Sequence, residues 1–153
     1  MDKIKVYLDN CCFNRPYDDQ QSILIRLEAE AKLFVQSKIK EGDIDLIWSY
    51  ILSYENSKNN DIMKQSTIEK WRFLSLETID PSEQIDKIAE EMLSIGIKEI
   101  DAIHLACAIF EACNYFLTTD KGILKKKSLI KNINIVNPVD FVEIYMEVQN
   151  DDR

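Results

Sequence analysis

Short apolar runs alternate along this chain with longer stretches in which apolar residues recur every three or four positions. Residues 3–8 (KIKVYL) form the first run and end at Asp9. Over 22–40, Ile23, Leu24, Leu27, Ala31, Phe34, Val35 and Ile39 fall at helical spacing, and Gly42 stops the helix. A second strand is expected over 45–48, followed by Ser49 as the cap of a helix carrying Tyr54 and Glu55. The pattern then predicts a helix over 61–74, a strand over 76–79, and a helix opened by Pro81 that ends at Gly96. A helix over 99–112, a strand over 115–118, a turn or short basic helix over 122–131, a strand over 133–136 and a helix from Pro138 complete the chain. Residues 10–21 read as a polar loop.

Short strands alternating with helices predict an α/β fold, a parallel sheet with helices on both faces. No repeat or linker interrupts the pattern, so one domain is expected over 1–148, with a polar tail at 149–153. At 153 residues such a domain needs no disulfide or metal staple to fold. Only 3 Gly and 3 Pro argue against a sandwich with many tight turns.

Charge narrows the function. At −8 the chain is a poor candidate for a non-specific nucleic-acid binder, whose affinity comes from neutralising phosphates. The objection is weaker for a nuclease, whose own site must be acidic to hold metal. Of the 4 cysteines, Cys11 and Cys12 are adjacent, no Cys-x-x-Cys occurs, and His104 is the single histidine, so a zinc site is not expected. Cys107 and Cys113 read as small core residues, and unpaired thiols suit a reducing cytoplasm. The first residues enter a strand-like run that includes Asp2, Lys3 and Lys5, so no signal peptide is expected, and no apolar run is long enough for a membrane span.

The candidate chemistry lies in four acids. Ligands of open α/β sheets bind beyond the carboxyl ends of the strands, where the strand order reverses. Asp9 follows the first strand and Asp120 the fourth, so neighbouring strands would put both on one rim. A crossover helix begins near that rim. Asp101 sits in the first turn of the helix that leads into the fourth strand, and Glu55 in the second turn of the helix after the second. Taken singly, each acid has an ordinary explanation as a turn residue, a complement to the helix dipole or a solvated side chain. Together they would repel unless a cation compensates, and hard divalent ions favour oxygen ligands. Such an ion would polarise a phosphate and acidify an attacking water.

At these residues the chain resembles the PIN-domain ribonucleases, including the VapC-like toxins of toxin–antitoxin systems. The segments that carry the resemblance are VYLDNCCFNRP around Asp9, SYILSYE ending at Glu55, IKEIDAIHLACAI around Asp101 and FLTTDKGIL around Asp120. The resemblance implies a five-stranded parallel sheet in the order 3-2-1-4-5. It implies Mg²⁺- or Mn²⁺-dependent endonucleolytic hydrolysis of RNA that leaves a 5′-phosphate and a 3′-hydroxyl. Asp9, Glu55, Asp101 and Asp120 fall on the family's acidic positions, with Thr118 and Asn10 as supporting polar residues. An antitoxin partner and a homodimer are implied in the same way. Many members carry Asn or Ser two residues after the first Asp, where this chain has Cys11, so one supporting hydrogen bond is in question.

Lys121 and the run Lys125-Lys126-Lys127 follow Asp120 and are candidates for RNA phosphate contact, with a solvated helix face as the alternative. Arg15 is a further candidate to steer RNA, or else caps its loop. His104, one turn after Asp101, reads as a structural histidine, the alternative being contact with substrate or with Asp101. Trp48, Trp71 and Phe73 are expected in the core. The rival to the nuclease is a catalytically silent PIN-like module that binds RNA or regulates. A phosphotransfer domain with Asp9 as acceptor is a third reading, weakened by the absence of a second Asp at position 11.

Overall fold

A computed structural model describes residues 3–151 of the chain. Five strands, β1 (Ile4–Leu8), β2 (Ile44–Ser49), β3 (Glu77–Ile79), β4 (Tyr115–Leu117) and β5 (Asn134–Val136), pair in parallel in the order 3-2-1-4-5. The apolar pattern predicts the parallel sheet, and the family resemblance implies this strand order. Strand β1 lies between β2 and β4, with Tyr7 opposite both Ile47 and Phe116. Chain order therefore reverses on either side of β1, and the end of β1 is the switch point of the sheet.

Val6, Tyr7 and Leu8 are all fully buried although successive side chains leave opposite faces of a strand. Both faces of the sheet are therefore covered, as a parallel sheet requires. The helices that cover it are α1 (Asn10–Asn14), α2 (Ile23–Lys40), α3 (Tyr50–Ser57), α4 (Ile62–Glu69), α5 (Glu83–Ser94), α6 (Glu99–Phe110), α7 (Lys121–Leu124) and α8 (Pro138–Asp151). Helix α2 packs against α8, with Phe34 edge-on to Tyr145, and α5 packs against α6. No described helix is long and apolar enough to cross a membrane. Asp152 and Arg153, the end of the expected polar tail, lie outside the described residues, as does Asp2.

Three local readings need correction. The expected polar loop over 10–21 contains α1 and a 3₁₀ turn at Arg15–Tyr17. Its polar letters hide two core side chains, Cys12 and Phe13, both fully buried, with Phe13 edge-on to Trp48 at 5.3 Å. Pro81 does not open α5. Ser82 is the N-cap, accepting a hydrogen bond from the Ile85 amide at 3.2 Å, and Pro81 precedes it. A serine hydroxyl satisfies an orphan amide, which a proline cannot do. The helix expected over 61–74 gives way to a 3₁₀ turn at Lys70–Leu74, which buries Trp71 but turns Phe73 out to 76% exposure.

Candidate active site

Asp9 leaves β1 in extended backbone and caps α1, its Oδ1 accepting from the Asn10 amide at 2.8 Å. The Asp9 amide donates to the Leu117 carbonyl at 2.9 Å, which ties the end of β1 to the end of β4. Asp9 Oδ2 accepts from the Thr118 hydroxyl at 2.8 Å, and the Asp120 amide donates to that same hydroxyl oxygen at 3.0 Å. Thr118 therefore links the two rim acids. The Cys11 thiol donates to Asp9 Oδ2 at 3.4 Å and accepts from the Thr119 amide at 3.4 Å. A thiol thus takes up the supporting bond left in question by the absence of Asn or Ser, as a weaker donor. Asp9 is 5% exposed and holds its carboxylate in one orientation through these donors.

Asp120 caps α7, its Oδ1 accepting from the amides of Gly122 at 2.7 Å and Ile123 at 3.2 Å. Asp101, in the first turn of α6, shares with Asp120 a cleft of about 280 Å³ lined also by Gly96, Ile97, Lys98, Gly122, Ile123 and Lys126. Burial, together with the charges of Asp9, Asp120 and Glu55, raises the Asp101 carboxyl to about 6, against a smaller opposing pull from His104. Glu55, on α3, lines a second cleft of about 340 Å³ with Asn10, Asn14, Asn56, Lys58, Asn59 and Asn60. The four acids predicted from the rim argument are therefore neighbours: Thr118 links Asp9 to Asp120, and Asp101 feels the charges of Asp9, Asp120 and Glu55. A larger cavity, about 550 Å³, lies between α3 and the turn after α4 and contains none of them.

The sequence reading left one member of this group out of the site. His104 is fully buried on α6, and its Nε2 makes a hydrogen bond to Glu55 Oε1. The same nitrogen is 3.9 Å from Asp9 Oδ1, and the three residues offer ligand atoms that all lie within 4.8 Å of one another. His104 Nδ1 meets the Tyr7 hydroxyl at 2.6 Å, and that hydroxyl meets Ser49 Oγ at 2.6 Å. Burial holds the Tyr7 phenol well above its ordinary pKa, so it is un-ionised. Two signals were available for these residues. His104 is three positions after Asp101, which puts both on one helix face, and Tyr7 is two positions before Asp9 along the β1 direction.

The residues expected to contact RNA differ from one another. Lys121 and Lys125 are exposed. Lys126 donates to the carbonyls of Gly96 at 2.7 Å and Ile95 at 3.3 Å, bracing the turn between α5 and α6. Gly96 there has φ +91°, and a Cβ on it would meet the Lys126 ammonium at 2.3 Å. Arg15 is engaged on three sides: Nη1 with Asp18 Oδ2 at 3.0 Å, Nη2 donating to Thr119 Oγ1 at 2.6 Å, and Nε 3.3 Å from Glu28 Oε1 in an ion pair without hydrogen-bond alignment.

The donor set fits a hard divalent cation. The four acids offer carboxylate oxygens, and among the described residues no lysine or arginine forms an ion pair with any of them. Burial, and after it the charges of Asp9 and Asp120, disfavours the ionised Asp101 carboxyl, and a cation beside it would offset both.

No protein-family model and no curated protein matches the sequence. Solved structures do. The chain matches VapBC2 from Rickettsia felis, solved bound to a DNA fragment from their promoter, with TM-score 0.55 and 16% identity over 88% of this chain and 98% of that one. It matches VapBC-1 from nontypeable Haemophilus influenzae with TM-score 0.57 and 15% identity, again over 88% and 98%. At such identity the likeness speaks for architecture, and it agrees with the strand order found here: the chain has the PIN-like fold that its motifs predict.

Proposed function

We propose that this chain is a divalent-metal-dependent endoribonuclease, acting as the toxin of a toxin–antitoxin pair. The observation that carries the reading is the set of neighbouring acids at the end of β1, where Asp101 feels the charges of Asp9, Asp120 and Glu55 and its carboxyl is raised to about 6 by burial and these neighbours. These four side chains would hold Mg²⁺ or Mn²⁺. Such an ion supplies charge that stabilises a pentacoordinate phosphate and lowers the pKa of the attacking water.

The chain's own residues do the rest. Thr118, by donating to Asp9 and accepting from the Asp120 amide, keeps the two rim acids in register. The Cys11 thiol joins Thr118 at the same Asp9 oxygen, and the Asn10 amide holds the other one. The Asp120 cap on α7 leaves its second oxygen for the site. An RNA strand would cross the acids from the amide-lined cleft around Asn10 and Asn59 to the cleft around Lys98 and Gly122. Lys121 and Lys125 would meet phosphates there, and Lys126 lies at the cleft wall. Arg15, held by its acids, would support the wall formed by α1 rather than reach into solvent. Cleavage would leave a 5′-phosphate and a 3′-hydroxyl.

The test is cleavage of a labelled single-stranded RNA by wild type, Asp9→Asn and Asp101→Asn in Mg²⁺ and in Mn²⁺. Each variant should lose at least about 100-fold, the upper end of what residues merely supporting a metal site cost. Equal cleavage by all three proteins would sink the proposal. RNA binding by wild type without any cleavage would favour the silent-module reading instead. A cognate antitoxin and a homodimer belong to the same proposal. Co-expression with the protein encoded beside this one, followed by light scattering of the purified material, measures both.

A further inference from the structure

We infer that His104 is a positioning residue, which holds the Glu55 carboxylate in the site through Nε2 and is itself held through Nδ1 by Tyr7 and Ser49. The inference rests on the nuclease reading above and deepens it.

Glu55 needs such a holder. Its side chain is 30% exposed, on a helix of eight residues, beside the buried Asp9, whose charge repels it. Left to itself, a partly exposed glutamate would turn outward to water. The Nε2 bond to Oε1 counters that, and the imidazole cannot drift because it is fully buried. The support extends further. Tyr7 stacks on Phe116 at 5.4 Å and meets the His104 ring edge at 5.7 Å, so its hydroxyl has one place to go. Ser49 Oγ, at the far end, accepts from the Leu52 amide at 3.3 Å as the N-cap of α3, the helix that carries Glu55. The chain of bonds thus closes on itself: α3 is capped by Ser49, Ser49 holds Tyr7, Tyr7 holds His104, and His104 holds the acid one turn further along α3.

The hydroxyls set the direction of the chain, and burial keeps the Tyr7 phenol un-ionised. With Nε2–H donating to Glu55, Nδ1 accepts from Tyr7 and Tyr7 accepts from Ser49. A metal-ligating histidine would instead need a bare Nε2, which separates the two roles experimentally.

His104 is the single histidine of the chain, so its ring can be observed without assignment. Long-range ¹H–¹⁵N correlation spectra from the carbon-bound ring protons report whether each nitrogen is protonated. The expected result is a protonated Nε2 that persists when Mg²⁺ is added and shifts in Glu55→Gln and in Tyr7→Phe. A bare Nε2, its deprotonation by Mg²⁺, or a ring signal indifferent to Glu55→Gln would overturn the inference. A second arm uses His104→Gln, which keeps a donor, and His104→Leu, which keeps volume alone. His104→Leu should lower Mg²⁺ affinity in calorimetry, and RNA cleavage, by roughly 10–100-fold, with His104→Gln recovering most of it. Tyr7→Phe should cost less, about fivefold, and nothing further in the His104→Leu background. Wild-type behaviour of His104→Leu would assign the histidine to packing. If the wild-type protein cuts no RNA, the nuclease reading fails, while the ring spectra and Mg²⁺ calorimetry still decide the role of His104.

Discussion

The buried Glu28 and the four acids at the end of the sheet are treated by the chain in opposite ways. Glu28, 4% exposed on α2, has the Arg15 guanidinium beside one oxygen and the Asn137 amide donating to the other. Its charge is answered from within the chain. Asp9, Glu55, Asp101 and Asp120 face one another with hydroxyl, thiol, amide and imidazole donors but with no lysine or arginine ion pair among the described residues. The first arrangement is self-sufficient and braces the fold. The second has no such answer among the described residues, and in the proposed function a divalent cation supplies it.

Breaking the first group should have the larger effect on folding. Arg15→Ala strips Glu28 of its cation in a nearly dry setting, and removing one partner of a buried pair typically costs 3–5 kcal/mol. The Arg15 side chain is 19% exposed, so the lower end, about 3 kcal/mol, is expected in urea unfolding. Arg15→Met combined with Glu28→Leu should recover much of the loss. A cost below about 1 kcal/mol for Arg15→Ala would place this pair with ordinary surface bridges and remove the contrast.

The contrast also shows what the sequence could carry. The acids were legible because their positions follow from local rules, an acid at a strand end and an acid in an early helical turn, together with a strand order that the family resemblance implies. Arg15 was legible only as a charge in a polar stretch. Its partners Glu28 and Thr119 come from α2 and from the loop after β4, and Thr119 is 104 residues away. Likewise, the link from His104 to Glu55 spans 49 residues and two helices. Helix α1 was hidden for a different reason. Five residues are too few for periodicity to register, and only burial of Cys12 and Phe13 makes them a helix. Phe73 failed in the other direction, because hydrophobic character does not tell a residue which way a 3₁₀ turn will point it.

In the rim group, the opposite substitution effect is expected. The Asp101 carboxyl sits at about 6 when folded against an ordinary 3.8, so the folded protein binds that proton more tightly than the unfolded chain. Stability from the neutral form is present below about pH 4 and is lost as pH rises toward 6. Asp101→Asn should therefore match wild type near pH 4 and exceed it at pH 7.5 without metal. Because the side chain is only half-buried, screening reduces the gain to on the order of 1 kcal/mol. In a thermal scan this is roughly 2–4 °C for a chain of this length. Mg²⁺ should raise the melting temperature of wild type more than that of the variant. A variant less stable than wild type at pH 7.5 without metal would mean that Asp101 is a structural acid like Glu28.

The smallest effects belong to the lysines, and they sharpen the contrast by asking where the answering charge for RNA comes from. Lys126 is committed to the carbonyls of Ile95 and Gly96, and so behaves like Arg15, a cation used inside the fold. Lys121 and Lys125 are exposed. If they contact phosphates, each alanine substitution should weaken binding of a single-stranded RNA by a few-fold at low salt. Each should also lower the slope of log K against log salt by about 0.7 per lost contact. Lys126→Ala should leave that slope unchanged and instead lower the melting temperature, because the turn between α5 and α6 loses its brace. A slope altered by Lys126→Ala but not by Lys121→Ala or Lys125→Ala would reverse the assignment. The phosphate path would then run over the wall of the Asp101–Asp120 cleft rather than across the exposed face of α7.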